Sequence, residues 1–209
     1  LAEGDSAQST LLAVRDPKLH AIYPLKGRPI NGYVESYKTA FENEEFKNIL
    51  NILSYNDYNN FSKVVIASDA DEFGHGICGL LCANFIKHIP QIADKIYRLN
   101  TPQIIITLAN NTKIEFFSQQ EYEQWIQSNP TKKFTQKYYK GLGSFKANEF
   151  KQYVHDPKYL LHLVPSTQDK QYLDLCFLKE KDSADKRKSW LTGLDDNLFN
   201  FSLIERLLT

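Results

Sequence analysis

The segment that most constrains this chain is residues 63–68 together with Asp69-Ala70-Asp71. Val64-Val65-Ile66-Ala67 is apolar without alternation. That is the pattern of a short strand covered on both faces of a parallel sheet. Two carboxylates at alternate positions directly behind such a strand point into one small space. Like charges this close repel, and burial strengthens the repulsion. Such a pair persists when a proton or a divalent cation sits between its members. Hard carboxylate oxygens suit Mg²⁺, which keeps several waters and bridges to phosphate. A third carboxylate, Glu3, lies in Glu3-Gly4-Asp5-Ser6-Ala7. The residues offer the parts of a Mg²⁺-assisted phosphoryl-transfer site.

The patterning around this strand alternates. Residues 4–15 read as a turn entering a helix, with Ser6 or Asp5 as its cap. Residues 24–29 are a basic, turn-rich loop. Residues 43–53 suit a helix with Phe46, Ile49, Leu50 and Leu53 on one face. Residues 77–86 are apolar enough for a buried helix. Residues 103–108 and 113–117 read as a hairpin around Asn110-Asn111. Residues 119–128 fit a helix with Tyr122, Trp125 and Ile126 inward. Residues 137–139 form a strand leading into Lys140-Gly141-Leu142-Gly143, and 147–154 read as helix. The sequence from Tyr159 onward is less regular, and 182–188 are highly charged, a solvated face unless Arg187 and Lys188 touch DNA or a neighbouring domain. The expected fold is an α/β domain with a largely parallel sheet, a hairpin insertion and a C-terminal extension. Ligand sites of such sheets lie outside the carboxyl ends of the strands, where Asp69 and Asp71 stand.

Composition narrows the classes. The 209 residues are long enough to bury a real core. Lysine and arginine balance aspartate and glutamate, for a formal net charge of zero. Any basic surface for nucleic acid must therefore be local. Cys78, Cys82 and Cys176 form no C-x-x-C pair, and the first two read as buried small hydrophobes. No apolar run approaches the ~18 residues of a membrane span, and an intracellular protein is expected. The chain has no methionine and begins Leu1-Ala2, so a piece of something longer is expected. His20, His88, His155 and His162 form no ligand-spaced set. Trp125 and Trp190 read as core anchors.

Five stretches occur in order: Glu3-Gly4-Asp5-Ser6-Ala7, Pro24-Leu25-Lys26-Gly27-Arg28, Asp69-Ala70-Asp71, Tyr139-Lys140-Gly141-Leu142-Gly143-Ser144, and Arg187-Lys188-Ser189-Trp190-Leu191. Together they resemble the Toprim-containing segment of type II DNA topoisomerases, over nearly the whole chain. The compact Lys-Gly-Leu-Gly-Ser form is most similar to viral or bacteriophage members. The resemblance implies a Toprim, Rossmann-like parallel sheet flanked by helices over residues 1–155, and a C-terminal extension over 156–209. It implies that Glu3 binds Mg²⁺ and acts as general acid or base, with Asp69 and Asp71 as further metal ligands. One or two Mg²⁺ per site are expected. The family's third acid is replaced by Phe73, which puts a second metal in doubt. Lys26, Arg28 and Lys140 match basic positions near the cleaved backbone, and His75 is a further candidate for phosphate.

The implied chemistry is tyrosine transesterification of double-stranded DNA within a two-fold assembly. The chain has twelve tyrosines but no Arg-Tyr pair. The nucleophile is therefore expected on a winged-helix domain or subunit, and ATP binding on a further ATPase domain or subunit. Competing readings are a Toprim nuclease or primase-like enzyme, and a non-catalytic DNA-binding module in which Phe73 marks decay of the site. For the acids, the bland alternative is capping of the helix that follows.

Overall fold

The computed structural model describes residues 1–166 and 169–193. Residues 167–168 and 194–209, which include part of the expected extension, lie outside the described residues. The strands are β1 (Ala2–Glu3), β2 (Pro24–Leu25), β3 (Val64–Ile66), β4 (Ile96–Leu99), β5 (Ile104–Leu108), β6 (Lys113–Phe116), β7 (Phe134–Tyr138) and β8 (Leu160–His162). The helices are α1 (Gly4–Val14), α2 (Tyr37–Glu42), α3 (Glu44–Ser54), α4 (Glu72–His88), α5 (Gln119–Ser128), α6 (Ala147–His155), α7 (Asp169–Phe177) and α8 (Ser183–Gly193).

β1 pairs in parallel with β2, and β3 with β4. A parallel bridge between Ala2 and Ala67 joins the two pairs. β8 closes the far edge antiparallel to β4. The result is a parallel-dominated sheet with one antiparallel edge. Its faces are both covered, as the unbroken apolar run of β3 requires. On one side Val64, Ile66 and Ile96 pack with Phe46, Ile49, Leu50 and Leu53 of α3 and Ile77, Leu81 and Phe85 of α4. On the other, Ala67 and Leu99 pack with Ala7, Leu11 and Val14 of α1 and Phe150 and Tyr153 of α6.

The expected hairpin is one half of a separate antiparallel sheet, in which β5 is flanked by β6 and β7. The strand foreseen at 137–139 begins at Phe134 and pairs along β5. α5 packs Tyr122, Trp125 and Ile126 on this sheet through Phe116 and Phe134. Glu115 accepts hydrogen bonds from Tyr153 and Tyr159, both at 2.8 Å, and so fastens the second sheet to α6.

Several local readings change. α1 receives no side-chain cap from Ser6 or Asp5; Glu3 occupies the cap position, and its carboxylate is engaged elsewhere. α4 begins at Glu72 rather than 77, because Asp71 caps it from the loop. β4, β8 and α2 carry too few periods to stand out in the sequence. β8 and α7 lie beyond residue 155, and Tyr33 Oη donates to Asp174 Oδ1 at 2.6 Å, tying α7 to the body of the domain. Arg187 donates to the carbonyls of Leu175 and Leu178 at 3.3 Å. That use caps the carbonyl end of α7. No helix among the described residues is long and apolar enough to cross a membrane.

Candidate active site

The acids meet because β1 and β3 end side by side. Glu3 N donates to Ala67 O at 2.9 Å, which sets the end of β1 against the start of the acidic loop. The chain then turns sharply into α1 through Gly4, whose φ of +76° is costly for residues with a β-carbon. Glu3 Oε2 accepts a hydrogen bond from Asp69 N at 2.8 Å, across 66 residues of sequence. Burial raises the Glu3 carboxyl above its usual range. The Asp69 N–H opposes this, the charges of Asp69 and Asp71 add to it, and Arg98 works against it.

Asp69 Oδ1 accepts from Leu142 N at 2.8 Å, so the Lys140–Gly143 turn folds directly over the acidic loop. Burial raises the Asp69 carboxyl, the Leu142 N–H counteracts, and Asp71 adds a smaller upward push. Gly141 makes this approach possible, since a β-carbon there would stand 2.5 Å from Asp69 Cγ. The space left by the missing side chain is taken by the Asp69 carboxylate. Asp71 Oδ1 accepts from Gly74 N at 2.8 Å and caps α4, so capping and the acidic cluster coexist at this residue.

The loop is held from further sides by groups that sequence reasoning missed. Arg98 Nη2 donates to Asp69 O at 3.3 Å, and the Gln103 side-chain amide donates to Ala70 O. Arg98 carried one available signal: a charge inside the otherwise apolar Ile96-Tyr97-Arg98-Leu99. Its burial depends on β4 and α4 meeting.

The remaining candidates lie on the loop after β2, on the first turn of α4 and on the turn after β7. Lys26, with Gly27, Gly4, Asp5 and Leu25, lines a groove of about 330 Å³ at the ends of β1 and β2. Lys26 N donates to Glu45 Oε1 at 2.5 Å, and its side chain is exposed, as are those of Arg28 and Lys140. His75 is half-buried, with Nδ1 hydrogen-bonded to Asp71 O. Burial and then Arg98 lower its pKa, which disfavours the cationic form a phosphate contact would use. Phe73 is 80% exposed on the first turn of α4.

Among the described residues, no group of three or more His, Cys, Asp or Glu is gathered as a ready set of metal ligands. The donors nonetheless suit Mg²⁺ in a looser form. Glu3, Asp69 and Asp71 each give one oxygen to a backbone N–H and keep the other. Mg²⁺ commonly takes one or two carboxylates and completes its shell with water and phosphate. The mutual repulsion of the acids is what a cation would relieve.

Comparison with known proteins shows the family to which the chain belongs. The family described as the C-terminal associated domain of TOPRIM matches residues 99–205. DNA topoisomerase 2-alpha of Mus musculus is 34% identical over 92% of this chain, and DNA topoisomerase 2 of Bombyx mori is 32% identical over 95%. The chain spans 14% of the length of each of these relatives. A crystal structure of the Plasmodium falciparum topoisomerase II DNA-binding, cleavage and re-ligation domain superposes with a TM-score of 0.76 at 29% identity, covering 93% of this chain and 28% of that one. The chain belongs to the family of the C-terminal associated domain of TOPRIM and is homologous to type II DNA topoisomerases.

Proposed function

We propose that this chain supplies the Mg²⁺-binding half of the DNA cleavage and religation site of an ATP-dependent type II topoisomerase. The observation that carries the reading is the convergence of three distant motifs on one loop. Glu3 accepts from Asp69 N, and Asp69 accepts from Leu142 N. Residues spaced this far apart in sequence meet at the carboxyl ends of parallel strands, where open α/β sheets hold their ligands.

In this reading Glu3, Asp69 and Asp71 hold Mg²⁺ through the oxygens not used by backbone N–H groups. The ion would offset charge on the scissile phosphate and the leaving 3′ oxygen. Glu3, whose carboxyl is raised by burial and by its acidic neighbours, is suited to hold a proton for that oxygen. Lys26, Arg28 and Lys140 are exposed and would position the DNA backbone without reading its sequence. His75 would contribute a hydrogen bond to phosphate rather than a full charge. The tyrosine nucleophile belongs to a winged-helix partner, and ATP binding to another domain, in a two-fold assembly. We further infer an intracellular location, where DNA is found.

The test uses the complete enzyme with supercoiled plasmid and Mg²⁺, quenched with detergent and digested with protease. Wild type should yield cleaved DNA bearing 5′-linked protein, and Glu3→Ala or Asp69→Ala should abolish it. Cleavage retained in both variants would overturn the site. Free 5′ ends in wild type would favour a Toprim nuclease. No Mg²⁺-dependent cleavage would favour a non-catalytic module.

A further inference from the structure

Beneath the acidic loop lies a charge that the reading above does not use. Arg98 stands in the middle of β4 and is 7% exposed. Its register partner is Ile66, and both Ile66 and Ile96 face the core under α4. Side chains two apart on a strand share a face, so Arg98 points to that side as well. Arg98 Nη2 donates to the Asp69 carbonyl, whereas Nε has no hydrogen-bond partner. Ser68 Oγ, 1% exposed, likewise has none.

A buried guanidinium is unfavourable unless negative charge is close by. Among the described residues Arg98 forms no direct ion pair. Its field instead reaches Glu3, along with His75 and the Cys78 and Cys82 thiols of α4. Its direct partner is thus the backbone of the acidic loop, the Asp69 carbonyl at 3.3 Å, and the carboxylate its charge meets through space is that of Glu3. The same site has Phe73 on its first helical turn, so it carries one fixed cation and one fewer acid than the family pattern.

We propose that Arg98 is a built-in cation of the acidic site, a positioning residue that holds the Asp69 carbonyl and offsets negative charge otherwise met by a divalent ion. The proposal rests on the Mg²⁺ reading of Glu3, Asp69 and Asp71. Two consequences separate it from a plain packing role. Loss of the charge leaves the acids more negative and strengthens their attraction for a divalent ion. Loss of the hydrogen bond frees the loop and weakens cleavage. A packing role lowers both together.

The experiment measures Mn²⁺ binding by electron paramagnetic resonance on the complete enzyme without nucleotide, beside DNA cleavage at saturating Mg²⁺. Arg98→Met should bind Mn²⁺ about tenfold more tightly than wild type while cleaving less. Arg98→Lys, which keeps the charge, should bind Mn²⁺ as wild type does. If Arg98→Met fails to fold, Arg98→Gln, which keeps amide donors, carries the same comparison. Unchanged or weaker Mn²⁺ binding in the neutral variant overturns the role of Arg98 alone. Absence of Mn²⁺ binding in wild type overturns the metal reading, and this inference with it.

Discussion

Gly141 lies against Asp69 so closely that a β-carbon at 141 would stand 2.5 Å from Asp69 Cγ and 2.6 Å from Oδ1. The backbone at Gly141 is extended, with φ of −169°, a conformation any residue adopts. The demand for glycine is one of space alone. It lets Leu142 N reach the Asp69 carboxylate at 2.8 Å and so joins the turn after β7 to the loop after β3.

Gly141→Ala should therefore push the Asp69 carboxylate aside without disturbing the turn. Displacement of a reacting group by about 1 Å typically costs roughly a hundredfold in rate, and a loss of that order in Mg²⁺-dependent cleavage is expected. Folding stability should fall by no more than about 3 kcal/mol, the upper end for one hydrogen bond to a charged group. Cleavage assays and denaturant unfolding on the same preparations check both halves.

Asp71 has two roles that substitution can separate. Asp71→Ala should cost about 1 kcal/mol of stability, because Gly74 N loses its cap. Asp71→Asn keeps a capping oxygen and should leave stability near wild type. Both variants should lose most Mg²⁺-dependent cleavage. A fully active Asp71→Asn enzyme would show that this residue serves α4 only.

Phe73 offers the converse experiment. At 80% exposure it packs little, so Phe73→Asp should change stability by less than about 0.5 kcal/mol. The new carboxylate restores an acid in the first turn of α4. Cleavage should persist, with its Mg²⁺ requirement shifted to lower concentrations. A Mg²⁺ titration that superposes on wild type would mean that position 73 is remote from the ion.

The attachment of α7 should show in the alkaline range. Burial, and then the hydrogen bond to Asp174, push the Tyr33 hydroxyl up to about 12. The unfolded value is about 10, so the protonated hydroxyl is the form that the fold favours. This contribution is fully present below about pH 10 and is lost as pH rises towards 12. Tyr33→Phe should therefore be less stable than wild type at pH 8.5, and the gap should narrow at pH 11. Denaturant midpoints at the two pH values measure it.

Much of this protein was legible in the order of its residues. The apolar run of β3 demanded cover on both faces, and α3 and α4 on one side with α1 and α6 on the other supply it. The face of α3 followed from Phe46, Ile49, Leu50 and Leu53, all buried. The acids behind β3 and the Lys140–Gly143 turn could be named from local pattern, because strand ends and glycine turns are local chemistry.

Tertiary structure alone decided which of these pieces touch. Nothing near Glu3 says that its carboxylate receives the N–H of Asp69, and nothing near Gly141 says that its missing side chain makes room for Asp69. β4 and β8 are short, and the charge of Arg98 inside apolar β4 acquires a partner only when the acidic loop and α4 close over it. The second sheet was foreseen as a hairpin because β7 pairs with β5 across an intervening helix. Periodicity reports how one element meets solvent. It carries no record of contacts between elements tens of residues apart, and at those contacts the acids, Gly141 and Arg98 acquire their roles.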